Sequence, residues 1–237
     1  MIRRVVEHIV GRIKGSDYKL DPDLPFSALV SLLTRRGFGL LRCLLFGVKF
    51  SFDIRDLVFV GKRVKLVNCG SISFGRGVTL GDGVVVDGLS RKGVVFGDGV
   101  NIGPYTIIEA TGVVSNIGEG FSIGNRSGMG AFSFVGAAGG VWIGDDVIMG
   151  QRVSFHSENH IFESIDVPIR LQGVFRQGIR VEDDCWVGAN VVFLDGAHLG
   201  RGCVVAAGSV VRGVIAPFSV IGGVPAKLIR SRVVDRR

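Results

Sequence analysis

The sequence predicts an all-β chain wound as a parallel β-helix prism, and three observations lead there. First, an aliphatic or aromatic residue recurs every six positions, usually ahead of glycine: Leu80-Gly81, Phe96-Gly97, Ile102-Gly103, Ile117-Gly118, Ile123-Gly124, Ile143-Gly144, Val187-Gly188 and Leu199-Gly200. Six fits neither the 3.6-residue helix period nor simple strand alternation, but it fits a coil whose short strands and turns return on every side. Second, 37 glycines suit tight corners, where a missing Cβ allows positive φ and close backbone approach. Third, with 47% hydrophobic residues and only six prolines, so much glycine does not signify flexible low-complexity chain.

Residues 1–56 read as a helical or irregular preface. Met1 to Leu20 alternates charged and apolar residues without a continuous hydrophobic core, so no cleavable signal peptide is expected. Phe26 to Phe50 is more apolar, but Arg35, Arg36 and Arg42 interrupt it and leave no run of the ~18 residues a membrane span needs. Leu29, Leu32, Leu33, Leu40, Leu41, Leu44 and Leu45 can make apolar helical faces, with Gly37 and Gly39 marking a break. Such a segment either caps the coil or lies on a membrane surface, a peripheral contact through residues 26–50.

The repeat domain spans residues 57–232. Its inward register runs through Phe74, Leu80 and Val86; Phe96, Ile102 and Ile108; Ile117, Ile123, Met129 and Val135; Ile143, Met149 and Phe155; then Val181, Val187, Phe193, Leu199, Val205 and Val211. The phase slips between these runs are expected where a corner is lengthened without disturbing the stacked faces. The largest break, residues 156–178, reads HSENHIFESIDVPIRLQGVFRQG and predicts a loop pushed out from one corner. Long excursions on a regular scaffold tend to carry function. This one holds His156, Glu158, His160, Glu163, Asp166, Arg170 and Arg176. After the coil, Val220 to Gly223 adds a last strand, Pro225 starts a basic helix or extended tail, and residues 233–237 close the chain.

A net charge of +7 suits nucleic acid, an anionic membrane or an acidic ligand such as a phosphorylated cofactor, and no nucleic-acid motif accompanies it. No nucleic-acid partner is expected. The cysteines, Cys43, Cys69, Cys185 and Cys203, show neither close pairing nor CxxC spacing, so neither disulfide framework nor zinc site is expected and a reducing cytoplasm is the default. Cys185 and Cys203 stand three hexapeptides apart, as packing residues on successive coils.

The repeats, the loop SENHIFESIDVPIRLQG, the segment CWVGANVVFLDGAHLG and the ending AAGSVV with GGVPAKLIR resemble the hexapeptide-repeat acyltransferases over residues 57–232. More narrowly, they are similar to maltose and galactoside acetyltransferases and to sugar O-acetyltransferases of bacterial surface-polysaccharide pathways. The resemblance implies a left-handed β-helix, a homotrimer, and acetyl-coenzyme A as donor between neighbouring prisms, with no metal. It places the catalytic base at His160, before Val167-Pro168-Ile169, and leaves His156 open between substrate contact and packing. For the donor it implies Trp186, Gly188 and Ala189 beside the acyl-carrying arm, a small-residue groove along Ala189 and Ala207, and Lys227 and Arg230 near the phosphates. Two positions depart from the pattern: Arg212-Gly213 replaces a threonine-lysine pair, and Gly130 replaces a polar substrate contact.

The expected activity is acetyl transfer to a hydroxyl of a sugar or saccharide precursor by a cytoplasmic protein, either free or peripheral at the inner face of the membrane. Two alternatives stand beside it: a zinc-dependent, carbonic-anhydrase-like enzyme using His156 and His160, and a non-catalytic structural trimer.

Overall fold

The structure, a computed structural model, describes residues 2–14, 18–45 and 57–233. Residues 46–56 of the preface and 234–237 of the tail lie outside them.

From Phe59 onward the chain winds through three parallel sheets in turn. The first holds nine strands, beginning at Phe59–Val60, and the second and third hold seven each, beginning at Lys65–Val67 and Ile72–Phe74. Each strand pairs with the equivalent strand of the next coil, as where Val135 stands between Ile108 and Phe155. The result is a left-handed parallel β-helix. Right-handed crossovers are the rule for parallel strands because strand twist selects them, and strands as short as Thr79–Leu80 or Val85–Asp87 accumulate little twist.

The six-residue register is the inward column of the prism. Leu80, Phe96, Ile102, Ile108, Ile123, Met129, Val135, Phe155, Val187, Phe193, Leu199 and Val205 are all buried in one continuous core, while Phe74 is half-buried and stacks on Phe96 at 5.2 Å. Phe155 and Phe193 stack in parallel at 4.7 Å.

The glycine after each apolar residue serves close approach alone. A Cβ on Gly103 would stand 2.4 Å from the backbone nitrogen of Ala131 on the next coil, whereas the positive φ of that corner falls two residues on, at Tyr105 (57°). The same offset puts φ 58° on Phe132 after Gly130, and the two displaced rings stack at 5.3 Å. At these turns corner strain thus falls on ordinary residues, where stacked coils overdetermine it, while Gly83, Gly99 and Gly202 take the same position at other turns. At the corner between the third and first sheets, side chains close the turns. Asp98 accepts the Arg76 amide (2.8 Å), Asn125 that of Asp98 (2.9 Å), Asp145 that of Asn125 (2.7 Å) and Asp183 that of Asp145 (2.9 Å).

Every large phase slip falls on the remaining corner, between the second and third sheets. Residues 88–93, 110–120 and 157–178 all bulge there. One expectation needs correction: Ile117 has the hexapeptide spacing but lies in the 110–120 excursion, half-buried and on no strand.

Helix α1 spans Ile2–Lys14 and α2 spans Phe26–Leu45. No break occurs at Gly37 or Gly39, contrary to expectation. A Cβ on Gly39 would meet the Val60 carbonyl at 3.3 Å, so this glycine lets an unbroken helix approach the first strand. Arg42 donates to the Val60 carbonyl (2.7 Å), Arg36 donates to Thr79 Oγ1 (2.6 Å) and lies over the Phe59 ring, and Cys43 joins the core. Helix α2 therefore covers the exposed edge of the first strand. At the other end Pro225 begins neither helix nor tail. Ala226–Ser231 returns as a strand antiparallel to Ser219–Gly223, pairing the last coil's edge.

Candidate active site

The 157–178 excursion leaves the second sheet after Ser154–His156 and folds as a small hairpin, Asn159–His160 against Val174–Phe175. His160 pairs with Val174 and is exposed, and the Ile161 amide donates to the Gly173 carbonyl (3.1 Å). Gln172 holds the tip, its amide nitrogen bonding the Ser164 (2.8 Å) and Val167 (2.7 Å) carbonyls.

The hairpin root is fixed on both sides. Ser157, buried, donates to the Gly136 carbonyl (2.8 Å) and accepts the Gly139 amide (2.9 Å). From the following coil, Asp195 accepts the backbone amides of Gln177 (2.9 Å) and Gly178 (2.7 Å). Toward the preceding coils, Arg176 reaches Asn116 and Ile117 while pairing with Glu158 at 2.6 Å. Asp195 and Asn116 did not stand out in the sequence. The only signal for Asp195 is its turn-forming Asp-Gly pair, and Asn116 was hidden by the false repeat at Ile117-Gly118.

The carboxylates near His160 are engaged elsewhere: Glu158 with Arg176, and Glu163 with the Phe162 amide (3.1 Å). His156 is exposed on the outer face of the second sheet, its ring 5.7 Å from that of Phe134. His198 lies on the third sheet, bonded to Glu182 Oε1 (2.9 Å). The histidines of the repeat thus occupy separate elements. Among the described residues no three His, Cys, Asp or Glu side chains converge as a metal-ligand group.

The remaining sequence-chosen residues lie on and beside the first sheet. Trp186, 59% exposed, stands on its outer face between Ile148 and Val204. In the same lateral row Val204 pairs with Val220, and Val220 with Arg230. Lys227 pairs with Gly222 on the terminal hairpin, and both basic residues are exposed. A Cβ on Gly188 would stand 2.5 Å from the Ala207 nitrogen, and the Gly208 amide donates to the Ala189 carbonyl (2.9 Å), so Ala189 and Ala207 stack at one corner. A Cβ on Gly130 would come within 2.4 Å of the Gly150 backbone, so any side chain there would force the neighbouring coil to shift. Arg212 is exposed at the corner between the second and third sheets. Cys185 and Cys203 do sit on successive coils, and burial pushes the Cys185 thiol up to about 12.

Fold and site together define a hexapeptide-repeat prism bearing an ordered corner hairpin. Residues 178–213 match the family model described as bacterial transferase hexapeptide (six repeats). It is 32% identical over 172 residues to a Mycobacterium tuberculosis protein named a probable acetyltransferase, covering 72% of this chain but only 55% of that one. It thus spans about half the length of that relative. It is 29% identical over 170 residues to Escherichia coli WbbJ, provisionally named a lipopolysaccharide biosynthesis O-acetyl transferase, covering 69% of this chain and 73% of WbbJ. Among solved structures it is similar to a point variant of AntD, an N-acyltransferase from Bacillus cereus determined with dTDP and coenzyme A. The TM-score is 0.52 at 17% identity, over 74% of this chain and 82% of AntD, a likeness of fold.

Proposed function

We propose that the protein is an acetyl-coenzyme A-dependent O-acetyltransferase acting on a hydroxyl of a sugar or saccharide precursor, with His160 as general base. The observation that carries this reading is an exposed imidazole on a hairpin whose root is fixed from three coils. A sugar hydroxyl is a poor nucleophile at neutral pH, and an imidazole within hydrogen-bond reach removes its proton as the oxygen attacks the thioester carbonyl. The new C–O bond forms, the tetrahedral oxyanion collapses, the C–S bond breaks, and the imidazolium returns its proton to the departing thiolate. The relatives named as acetyltransferases support the donor, and WbbJ supports a saccharide acceptor.

The residues of the first sheet fit the donor chemically. Trp186 offers an apolar wall, Gly188, Ala189 and Ala207 leave room for a narrow chain, and Lys227 and Arg230 offer positive charge for phosphates. The test is thiol release from acetyl-coenzyme A with a panel of sugar acceptors, in wild type and His160→Ala. Release by neither would favour the non-catalytic trimer, and stoichiometric zinc on His156 and His160 would favour the metalloenzyme.

We further propose that the protein is a cytoplasmic homotrimer. Its loop exposes Phe162, Ile165 (97% exposed), Ile169 and Leu171 to solvent, apolar surface that a neighbouring copy would cover. Sedimentation at a single-chain mass would contradict the trimer. Peripheral membrane contact is supported by α2, which covers the first strand on one side yet leaves Phe26, Val30, Leu33, Phe38 and Leu41 exposed beside Arg35. No helix among the described residues is long and apolar enough to cross a membrane. Co-sedimentation with anionic vesicles, unchanged by Phe26→Ser, Leu33→Ser and Leu41→Ser together, would rule this contact out.

A further inference from the structure

Arg176 is 16% exposed and its guanidinium is occupied on every nitrogen. Nε donates to Glu158 Oε2 at 2.6 Å, Nη1 to Asn116 Oδ1 at 3.1 Å and to the Ile117 carbonyl at 3.4 Å, and Nη2 to the Asn116 carbonyl at 3.2 Å. Three chain segments therefore meet at one side chain: the 110–120 excursion, the segment leading into the hairpin two residues before His160, and the segment leaving it just after Phe175. Close packing keeps the arginine in place, since a Cβ on neighbouring Gly139 would stand 3.2 Å from Arg176 Cβ. A lysine, with one point charge and no planar fork, could not hold the Glu158 carboxylate and the Asn116 backbone together.

We propose that Arg176 is a positioning residue that fixes His160 by clamping the two corner excursions into one unit, so that residues 110–120 belong to the active site although they carry no catalytic group. This rests on His160 acting as the base. Three features favour positioning over a general contribution to stability. The clamp is local to the corner, it lies outside the buried column, and the residue it grips, Glu158, directly precedes the Asn159–His160 strand. Breaking a mostly buried pair leaves one charge uncompensated, so loss of either partner should loosen both excursions together.

Two readouts test the clamp. In the full chain, Arg176→Lys and Glu158→Gln should each lower kcat about tenfold with acetyl-coenzyme A binding within about twofold. The double variant should be no worse than either single one, because the two act as one unit. Amide hydrogen exchange, which needs no turnover, should accelerate in peptides 110–120 and 158–177 together in both single variants. Unchanged exchange in one of these peptides, or multiplicative losses in the double variant, would overturn the clamp. A wild-type protein that transfers no acetyl group would instead overturn the transferase reading, with exchange still deciding whether Arg176 joins the two excursions.

Discussion

Trp186 and Arg230 share one outward-facing row, separated by Val204 and Val220 on a single sheet. With strands ~4.8 Å apart, their Cα atoms lie on the order of 14 Å from one another along the face. An aromatic wall and a cation are thus presented together although forty-four residues separate them in the chain. We predict that Arg230→Glu raises the dissociation constant for acetyl-coenzyme A about tenfold at low salt, and that the difference shrinks at ~1 M salt as screening takes over. Calorimetric titration at the two salt concentrations checks it. Identical binding at low salt would remove Arg230 from the donor site.

Gly130 tests the stacking argument. Alanine there brings a Cβ to 2.4 Å of the Gly150 backbone, whereas Gly112 has nothing within 4 Å of the equivalent position. Gly130→Ala should cost about 2 kcal/mol in denaturant unfolding, the usual penalty for overpacking, and Gly112→Ala close to nothing. Equal effects would show that close coil approach is not what selects glycine.

The Glu182–His198 pair gives a pH signature. The hydrogen bond from His198, then the Arg201 amide, hold the Glu182 carboxyl below its ordinary value of 4.5. A depressed carboxyl pKa contributes stability that is present above the unfolded value and lost as pH falls through the folded one. Glu182→Gln should therefore be less stable than wild type at pH 6, with the gap closing below about pH 4. The site is part-exposed, so the gap should be small. A gap that widens on acidification would reverse the sign of this account.

Thiol reactivity should separate the cysteines. Cys69 is exposed, while burial raises Cys43 to about 11 and Cys185 to about 12, and raises Cys203 as well. Thiolate is the reactive form. Iodoacetamide at pH 8 should label Cys69 in the native protein and all four thiols after denaturation, as read by intact mass. Rapid native labelling of Cys185 would mean that the coils open.

Much of the fold was legible in the sequence because one buried column repeats with fixed spacing, and its members from Leu80 to Val211 point inward as their register requires. Sequence reading faltered where a local pattern had a different physical cause. Ile117-Gly118 copied the repeat inside a bulge, Gly39 served helix approach rather than a break, and the basic segment after Pro225 found a strand edge to pair with. His160 stood out through its surrounding motif. The grip of Arg176 on Asn116 did not, because sixty residues separate the partners and only the shared corner brings them together.

His160 bears the central claim. Steady-state acetyl transfer to a saccharide acceptor should fall by ~100-fold or more in kcat for His160→Ala, with acetyl-coenzyme A binding preserved within about twofold. Turnover equal to wild type in that variant would contradict the account and take the chemistry away from the corner hairpin.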